Sequence, residues 1–324
     1  LFGVLLDQLE EHLPEVLESF KQLVATGRVE VLAETYHHSL AFLTSPEEFR
    51  RQAALHKQKI RKVFKRIPTV FRNTELVYNN DIAKEVARMG YKAILAEGAQ
   101  KILGWRSPNY LYHAKGAALT LLLKNYTLSD DIAFRFSNRN WASWPLTAET
   151  FAQWLSSTNG NGHCVNLFMD YETFGEHQWA STGIFNFLRQ LPAEILKHPD
   201  NDFKTPSEVA RAFPASDELD VPYYVSWADL ERDLSAWTGN DMQQAALRAV
   251  YELEPAVRAA RDPALLSLWR KLQTSDHFYY MCTKWFSDGD VHKYFNPHDS
   301  PYEAFISYMN ILTDIKTRLE KKNP

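Results

Sequence analysis

TVFRNTELVYNNDIAKEVARMGYKAIL, residues 69–95, reads as one strand–helix–strand unit. Thr69–Arg72 is short and β-prone, and Tyr91–Leu95 repeats that character. Between them DIAKEVARMG (81–90) carries its apolar residues at helical spacing and stops at a glycine. A strand, a helix and a second strand in that order predict a right-handed crossover between parallel strands.

The same rhythm extends in both directions. Upstream, Leu9, Leu13, Leu17, Phe20 and Val24 recur at helical spacing up to a stop at Gly27. VEVLA (29–33) follows as a strand, and Ser45-Pro46-Glu47-Glu48 opens a helix running to about Phe64, with the pattern of a capping box and proline at the first helical position. Downstream come LTLLLKN (119–125), the TAETFAQWLSS helix (147–157) and VNLFM (165–169). Five or so such units predict an α/β fold with a parallel sheet, either a barrel or an open doubly wound sheet. After about residue 205 every segment is helical in pattern. The expected organisation is therefore a parallel-sheet part, 1–205, and a helical region, 206–324, packed on it.

Composition narrows the function. The chain has 324 residues, 45% hydrophobic and 23% charged, with a formal net charge of −4, which offers no electrostatic case for nucleic acid or an anionic membrane. No apolar run is long enough to span a bilayer. The two cysteines, Cys164 and Cys282, are far apart and form no metal-type pair, a usage that fits a reducing cytoplasm. Aromatic residues reach 13%, including nine Trp and fifteen Tyr, which suits both a large core and a sugar-binding cleft. HExxH, a Gly-rich phosphate loop and a GxSxG elbow are all absent from the sequence.

In parallel α/β folds the chemistry sits where strands finish. Three strand exits here are crowded with polar groups: Glu34-Thr35-Tyr36-His37-His38 after VEVLA, Arg72-Asn73-Thr74-Glu75 after TVF, and Asp170-Tyr171-Glu172 with Glu176-His177 after VNLFM. All three are expected on one edge, so that their side chains converge. Each also has a plain structural reading. Asp170 could cap a helix, Glu75 could simply pair with Arg72, and His37-His38 with Glu34 could ligate a metal, although adjacent histidines in extended chain point to opposite sides. Two facing carboxylates have a specific chemistry, glycosidic cleavage, in which one attacks the anomeric carbon and the other moves the proton, about 5–5.5 Å apart in retaining enzymes.

FRNTELVYNN (71–80) and MDYETFGEHQW (169–179) resemble glycoside hydrolase family 57, in its α-amylase-type branch. VEVLAETYHHS (29–39), LAEGA (95–99), GWRSPNY (104–110) and KLQTSDHFYYM (271–281) extend that resemblance over nearly the whole chain. It implies an incomplete (β/α)7 barrel with a helical region, acting on α-glucans such as starch, glycogen or maltodextrin with retention and without a cofactor or metal. It implies Glu75 as nucleophile, Asp170 as general acid/base, and sugar contacts from Tyr36, His37, His38, Asp276 and His277. The family's first strand normally ends in His-Gln-Pro; that tripeptide does not occur here, so the chain is expected to begin after that strand.

Five further residues are assigned from the sequence itself. Arg72 is expected to keep Glu75 ionised, and Glu172 to help hold a proton on Asp170. Trp105 and Trp179 are candidates for stacking on glucose rings, and His177 for a substrate contact. The expected function is α-1,4-glucan hydrolysis by double displacement. The alternatives are 4-α-glucanotransferase or branching activity, and glucan binding without turnover. The sequence leaves the oligomeric state open.

Overall fold

A computed structural model of the chain describes residues 1–284 and 296–322. The chain divides into two compact units, Leu1–Val77 with Tyr224–Pro324, and Tyr78–Tyr223. This division differs from the expected boundary at 205/206, because the last hundred residues return to the unit in which the chain begins.

In the first unit, helices α1 (Gly3–His12) and α2 (Pro14–Ala25) replace the single helix expected before Gly27. Pro14 has no N–H to donate, so it fits the first turn of a new helix rather than the interior of a continuous one. Helix α3 (Pro46–Phe64) starts at Ser45, whose hydroxyl accepts the Glu48 N–H. Leu6, Leu9, Leu17 and Val24 of the first two helices close a core with Ile60, Val63 and Phe64 of α3.

The expected reciprocal bond of a capping box is not what Glu48 makes. Its carboxylate is fully buried and is taken by Arg258 and Arg270 of the C-terminal helices, at 2.5 and 2.8 Å. Gln52, one turn on, bonds Gln273 at 2.9 Å. The C-terminal helices Glu254–Ala259 and Pro263–Lys271 are thereby tied to α3 through charge, and helix Ser275–Tyr279 follows them. Strand β1 (Val70–Arg72) is short, and VEVLA pairs with it through one parallel bridge only, Ala33 with Phe71.

The second unit holds helix α4 (Asn80–Arg88) and four strands. Strands β2 (Ala93–Glu97) and β4 (Thr120–Lys124) run parallel over five register pairs, from Ala93–Thr120 to Glu97–Lys124. Strand β3 (Tyr112–Ala114) pairs antiparallel with β4 and parallel with β5 (Asp217–Leu219). The parallel pairings and interleaved helices make this an α/β fold, as expected. Strand β5 corrects the expectation that strands end by residue 205. Gly98 ends β2 where only glycine fits, since a Cβ there would stand 2.3 Å from the Lys124 carbonyl oxygen.

VNLFM is a second correction. It is extended but joins the sheet through a single bridge, Lys124 with Asn166. The helix Tyr126–Asp130 begins directly after β4, capped by Asn125, so β4 offers the segment no further strand to pair with. Asn125 N–H donates to the Asn166 carbonyl, and the Ser129 hydroxyl accepts the Phe168 N–H, at 2.9 and 3.2 Å. The period-two pattern that suggested a strand still operates: Val165, Leu167 and Met169 pack on a core of Phe136, Phe151, Leu155, Ile184, Phe187 and Leu191. Among the described residues, no helix is long and apolar enough to cross a membrane.

Candidate active site

Glu75 leaves β1 through a strained turn. Its backbone sits at φ 56° and ψ 25°, and Leu76 follows at φ 53°, so two consecutive non-glycine residues are left-handed. Each such residue costs about 1–3 kcal/mol, and conformations of this kind persist where the surroundings over-determine them. They do so here. Asn73 donates its amide to the Val77 carbonyl at 3.0 Å, and the buried Thr74 hydroxyl lies 3.1 Å from that of Thr35.

The turn aims a carboxylate at three donors. Oε1 accepts from His38 Nε2 at 2.9 Å and, more distantly, from Ser275 Oγ at 3.5 Å; Oε2 accepts from Trp227 Nε1 at 2.7 Å. Burial alone would raise the Glu75 pKa, but the His38 hydrogen bond and charge, the Trp227 donor and the Arg72 charge together bring it below the usual carboxylate range. Arg72 does not pair with Glu75 directly. Its guanidinium stacks on the Trp227 ring, 4.8 Å from the centroid, so it fixes the indole that holds the carboxylate while adding positive charge nearby. The Glu75 side chain stays 18% exposed, enough for an anion to be reached from one side.

His38, itself at φ 49°, stands between two carboxylates. Nδ1 bonds Glu34 Oε2 at 3.0 Å while Nε2 bonds Glu75. Burial opposes a charged ring, yet the two hydrogen bonds prevail and push the His38 pKa up to about 10. Glu34, against its own burial, is held down at about 2 by the same ring. His37 is the opposite case. Buried and near Arg270, it falls to about 4, and among the described residues nothing bonds its Nδ1. The adjacent histidines lie in a turn rather than in the extended chain expected, and they stand in different surroundings, His38 charged and His37 neutral. Both nitrogens of His38 are already engaged by carboxylates, an arrangement that does not gather the pair onto one ion.

The C-terminal helices fix this loop from the far side. Thr274 donates its hydroxyl to the His37 carbonyl and the Ser275 N–H donates to the His38 carbonyl, both at 2.9 Å. On the helix that follows, Asp276 is exposed. His277 instead turns inward, 3.2 Å from the Lys271 carbonyl and against Tyr308, and burial lowers its pKa. The Tyr36 hydroxyl donates to Asp7 of α1. The first unit therefore gathers Arg72, Glu75 and His38 into one cluster, with His37 behind it, and confirms convergence for two of the three strand exits.

The third exit belongs to the second unit. Asp170 is exposed and stands at the start of a single helical turn, Tyr171–Thr173, yet among the described residues its carboxylate makes no capping bond there. The loop beyond it is knotted on itself: Glu172 O accepts the N–H groups of Glu176 and His177, and Gln178 donates to Ala133 O at 2.9 Å. Glu172 is exposed and His177 half-buried. Trp179 is 60% exposed and Trp105 89%, with Arg106 beside the Trp105 ring.

Sequence reasoning missed Trp227, which sits in VPYYVSWADL without any periodic or motif signal. It placed Glu34 at a crowded strand exit but assigned it only a metal reading. Ser275 lay inside KLQTSDHFYYM and was passed over for its neighbours.

Comparison with known proteins supplies an independent view. The family model described as Glycosyl hydrolase family 57 matches residues 1–222. A curated protein of Methanocaldococcus jannaschii named "Putative alpha-amylase" is 46% identical over 325 residues, covering 97% of this chain and 69% of that protein. Among solved structures, the 4-alpha-glucanotransferase of Thermococcus litoralis matches with a TM-score of 0.65 at 19% identity, over 86% of this chain and 48% of that one. A family 57 branching enzyme of Thermococcus kodakaraensis matches with a TM-score of 0.65 at 15% identity, over 98% of this chain and 74% of that one. At those identities the likeness is one of fold, and the incomplete (β/α)7 class expected from the motifs stands. This chain spans about half the length of the glucanotransferase.

Proposed function

Because the chain belongs to glycosyl hydrolase family 57, we propose that it cleaves α-1,4-glucosidic bonds of starch, glycogen or maltodextrin by double displacement, with Glu75 as nucleophile and Asp170 as general acid/base. The observation that carries this reading is the Glu75 carboxylate, kept ionised by His38, Trp227 and the Arg72 charge.

The chemistry needs such an anion. A Glu75 oxygen forms a bond to the anomeric carbon as the bond to the leaving oxygen breaks, and that oxygen takes the proton of the acid. In the second step water adds to the same carbon, the Glu75 ester bond breaks, and the carboxylate of Asp170 accepts the water's proton. Two inversions retain the configuration. Strong donors to Glu75 lower its basicity but fix its direction of attack and stabilise it again when it leaves. Trp105 and Trp179 are assigned to glucose-ring stacking, and Tyr36, His37, His38, Glu172, His177, Asp276 and His277 to positioning the sugar or the reacting groups.

A second reading is transfer, with a sugar hydroxyl in place of water. The two solved structures named above favour keeping it, since one is a glucanotransferase and the other a branching enzyme. Incubation with maltoheptaose separates the readings. Hydrolysis raises reducing ends in step with substrate loss. Transfer redistributes chain length with little gain in reducing ends.

A further inference from the structure

Glu34 is almost enclosed, its side chain 7% exposed, and it touches the reaction only through His38. The imidazole is held by both nitrogens: Glu34 Oε2 at Nδ1, 3.0 Å away, and Glu75 Oε1 at Nε2, 2.9 Å away. A neutral imidazole has one N–H, so between two carboxylates its bare nitrogen would face an anion. Only the doubly protonated ring satisfies both contacts. The loop has little freedom to choose another arrangement, because the His38 carbonyl is bonded by Ser275 and its backbone is left-handed.

We propose that Glu34 is a positioning residue for the glycosidic reaction: by holding His38 at Nδ1, it keeps Nε2 a donor to Glu75 while that carboxylate passes its charge to the sugar and recovers it. The assignment rests on the proposed function above. As Glu75 becomes an ester, its hold on the His38 proton weakens, and Glu34 remains as the anion that retains the charged ring. The donor is then already in place when the carboxylate is expelled.

The other charged or titratable groups facing the pair are Arg72 of β1 and His56 of α3, whose Nδ1 accepts the Glu34 N–H. The Phe2 ring packs against the imidazole with centroids 5.2 Å apart. None of these is an anion able to replace Glu34.

The test is Glu34→Gln, which keeps shape and removes charge, read by two measurements on the whole chain. Nitrogen-15 NMR of the His38 ring follows its protonation. The pH profile of fluoride release from α-maltosyl fluoride reports the first displacement without needing a protonated leaving group. The His38 midpoint is expected to fall by more than about one pH unit, with the alkaline limb of kcat/KM falling alongside it. A uniform loss of rate at every pH, with the His38 midpoint unmoved, overturns the proposal and leaves Glu34 a structural residue. If Glu34→Gln does not fold, Glu34→Asp carries the test: a midpoint between the wild-type value and that of an ordinary histidine supports the proposal, and a wild-type midpoint overturns it. Failure of the hydrolase reading looks different, as wild-type protein that releases no fluoride while the NMR titration still shows whether Glu34 governs His38.

Discussion

The indole Nε1–H of Trp227 donates to Oε2 of Glu75 over 2.7 Å, joining residues 152 positions apart in sequence. That bond is one of the forces that keep the Glu75 carboxylate ionised against its burial. Trp227→Phe removes the donor and keeps most of the ring that Arg72 stacks on. A hydrogen bond to a charged group contributes about 1.5–3 kcal/mol, so the Glu75 pKa should rise by about one to two units. If Glu75 attacks as the anion, as proposed, the acid limb of kcat/KM should move to higher pH by that amount. An acid limb that stays in place would show that the indole does not govern the nucleophile.

Two substitutions separate the proposed carboxylate roles. Glu75→Gln removes the proposed attacking group and should cut turnover of maltodextrin by about 10⁴-fold or more. Asp170→Asn removes the proposed proton donor and should cost about 10²–10⁴-fold. An aryl glycoside with a good leaving group needs little protonation, so it should restore the first step for Asp170→Asn and not for Glu75→Gln. Equal rescue of both variants contradicts the roles.

The Glu34–His38 pair makes stability depend on pH at both ends. His38 is raised from an ordinary 6.5 to about 10, so its contribution is full below 6.5 and is lost as pH climbs through 10. Glu34 is lowered from 4.5 to about 2, so its contribution is present above 4.5 and lost as pH falls through 2. The Glu34–His38 contact enters both shifts and counts once, and Glu75 adds to that of His38. The pair is therefore most stabilising between those windows. In thermal melts, the decline of the unfolding temperature above neutral pH should be shallower in His38→Gln than in the wild type; identical alkaline limbs would remove the pair from the account.

Glu48 shows how the first unit is held. Its carboxylate is fully buried between Arg258 and Arg270. Glu48→Ala takes the anion from Arg270, while Arg258 keeps Glu254 at 2.7 Å, and breaking a buried pair in this way costs about 3–5 kcal/mol. Urea unfolding should show a loss of that size. A loss below about 1 kcal/mol, the size of an exposed pair, would mean that the pairing holds nothing.

How far this molecule was legible in its sequence depended on the length of each signal. Helix α4 stands where the 69–95 alternation put it, and strands β1 and β2 overlap the runs expected on either side of it, β1 only three residues long but marked by the helix that follows and β2 shifted two residues on. Strands β3 and β5 did not announce themselves. Tyr112–Ala114 and Asp217–Leu219 are three residues each, and two residues of β5 are exposed acids, so neither has a period to read. VNLFM showed the right period with the wrong partner, because alternation reports which face is buried and not what hydrogen-bonds the edge. The two-unit division was hidden for another reason. It depends on contacts such as Glu48 with Arg270 and Gln52 with Gln273, more than 200 residues apart. Glu75 was legible from its motif, whereas Trp227 and Glu34 became meaningful only once the distances to Glu75 and His38 were known.

The most direct measurement of the central claim is to trap the sugar on the protein. A 5-fluoro-α-glycosyl fluoride forms the glycosyl ester quickly and releases it slowly, and peptide mass spectrometry then locates the label. The account predicts one hexose-sized adduct on the peptide containing Glu75, absent from Glu75→Gln. An adduct on a different carboxylate, in a protein that still turns over maltodextrin, would contradict it.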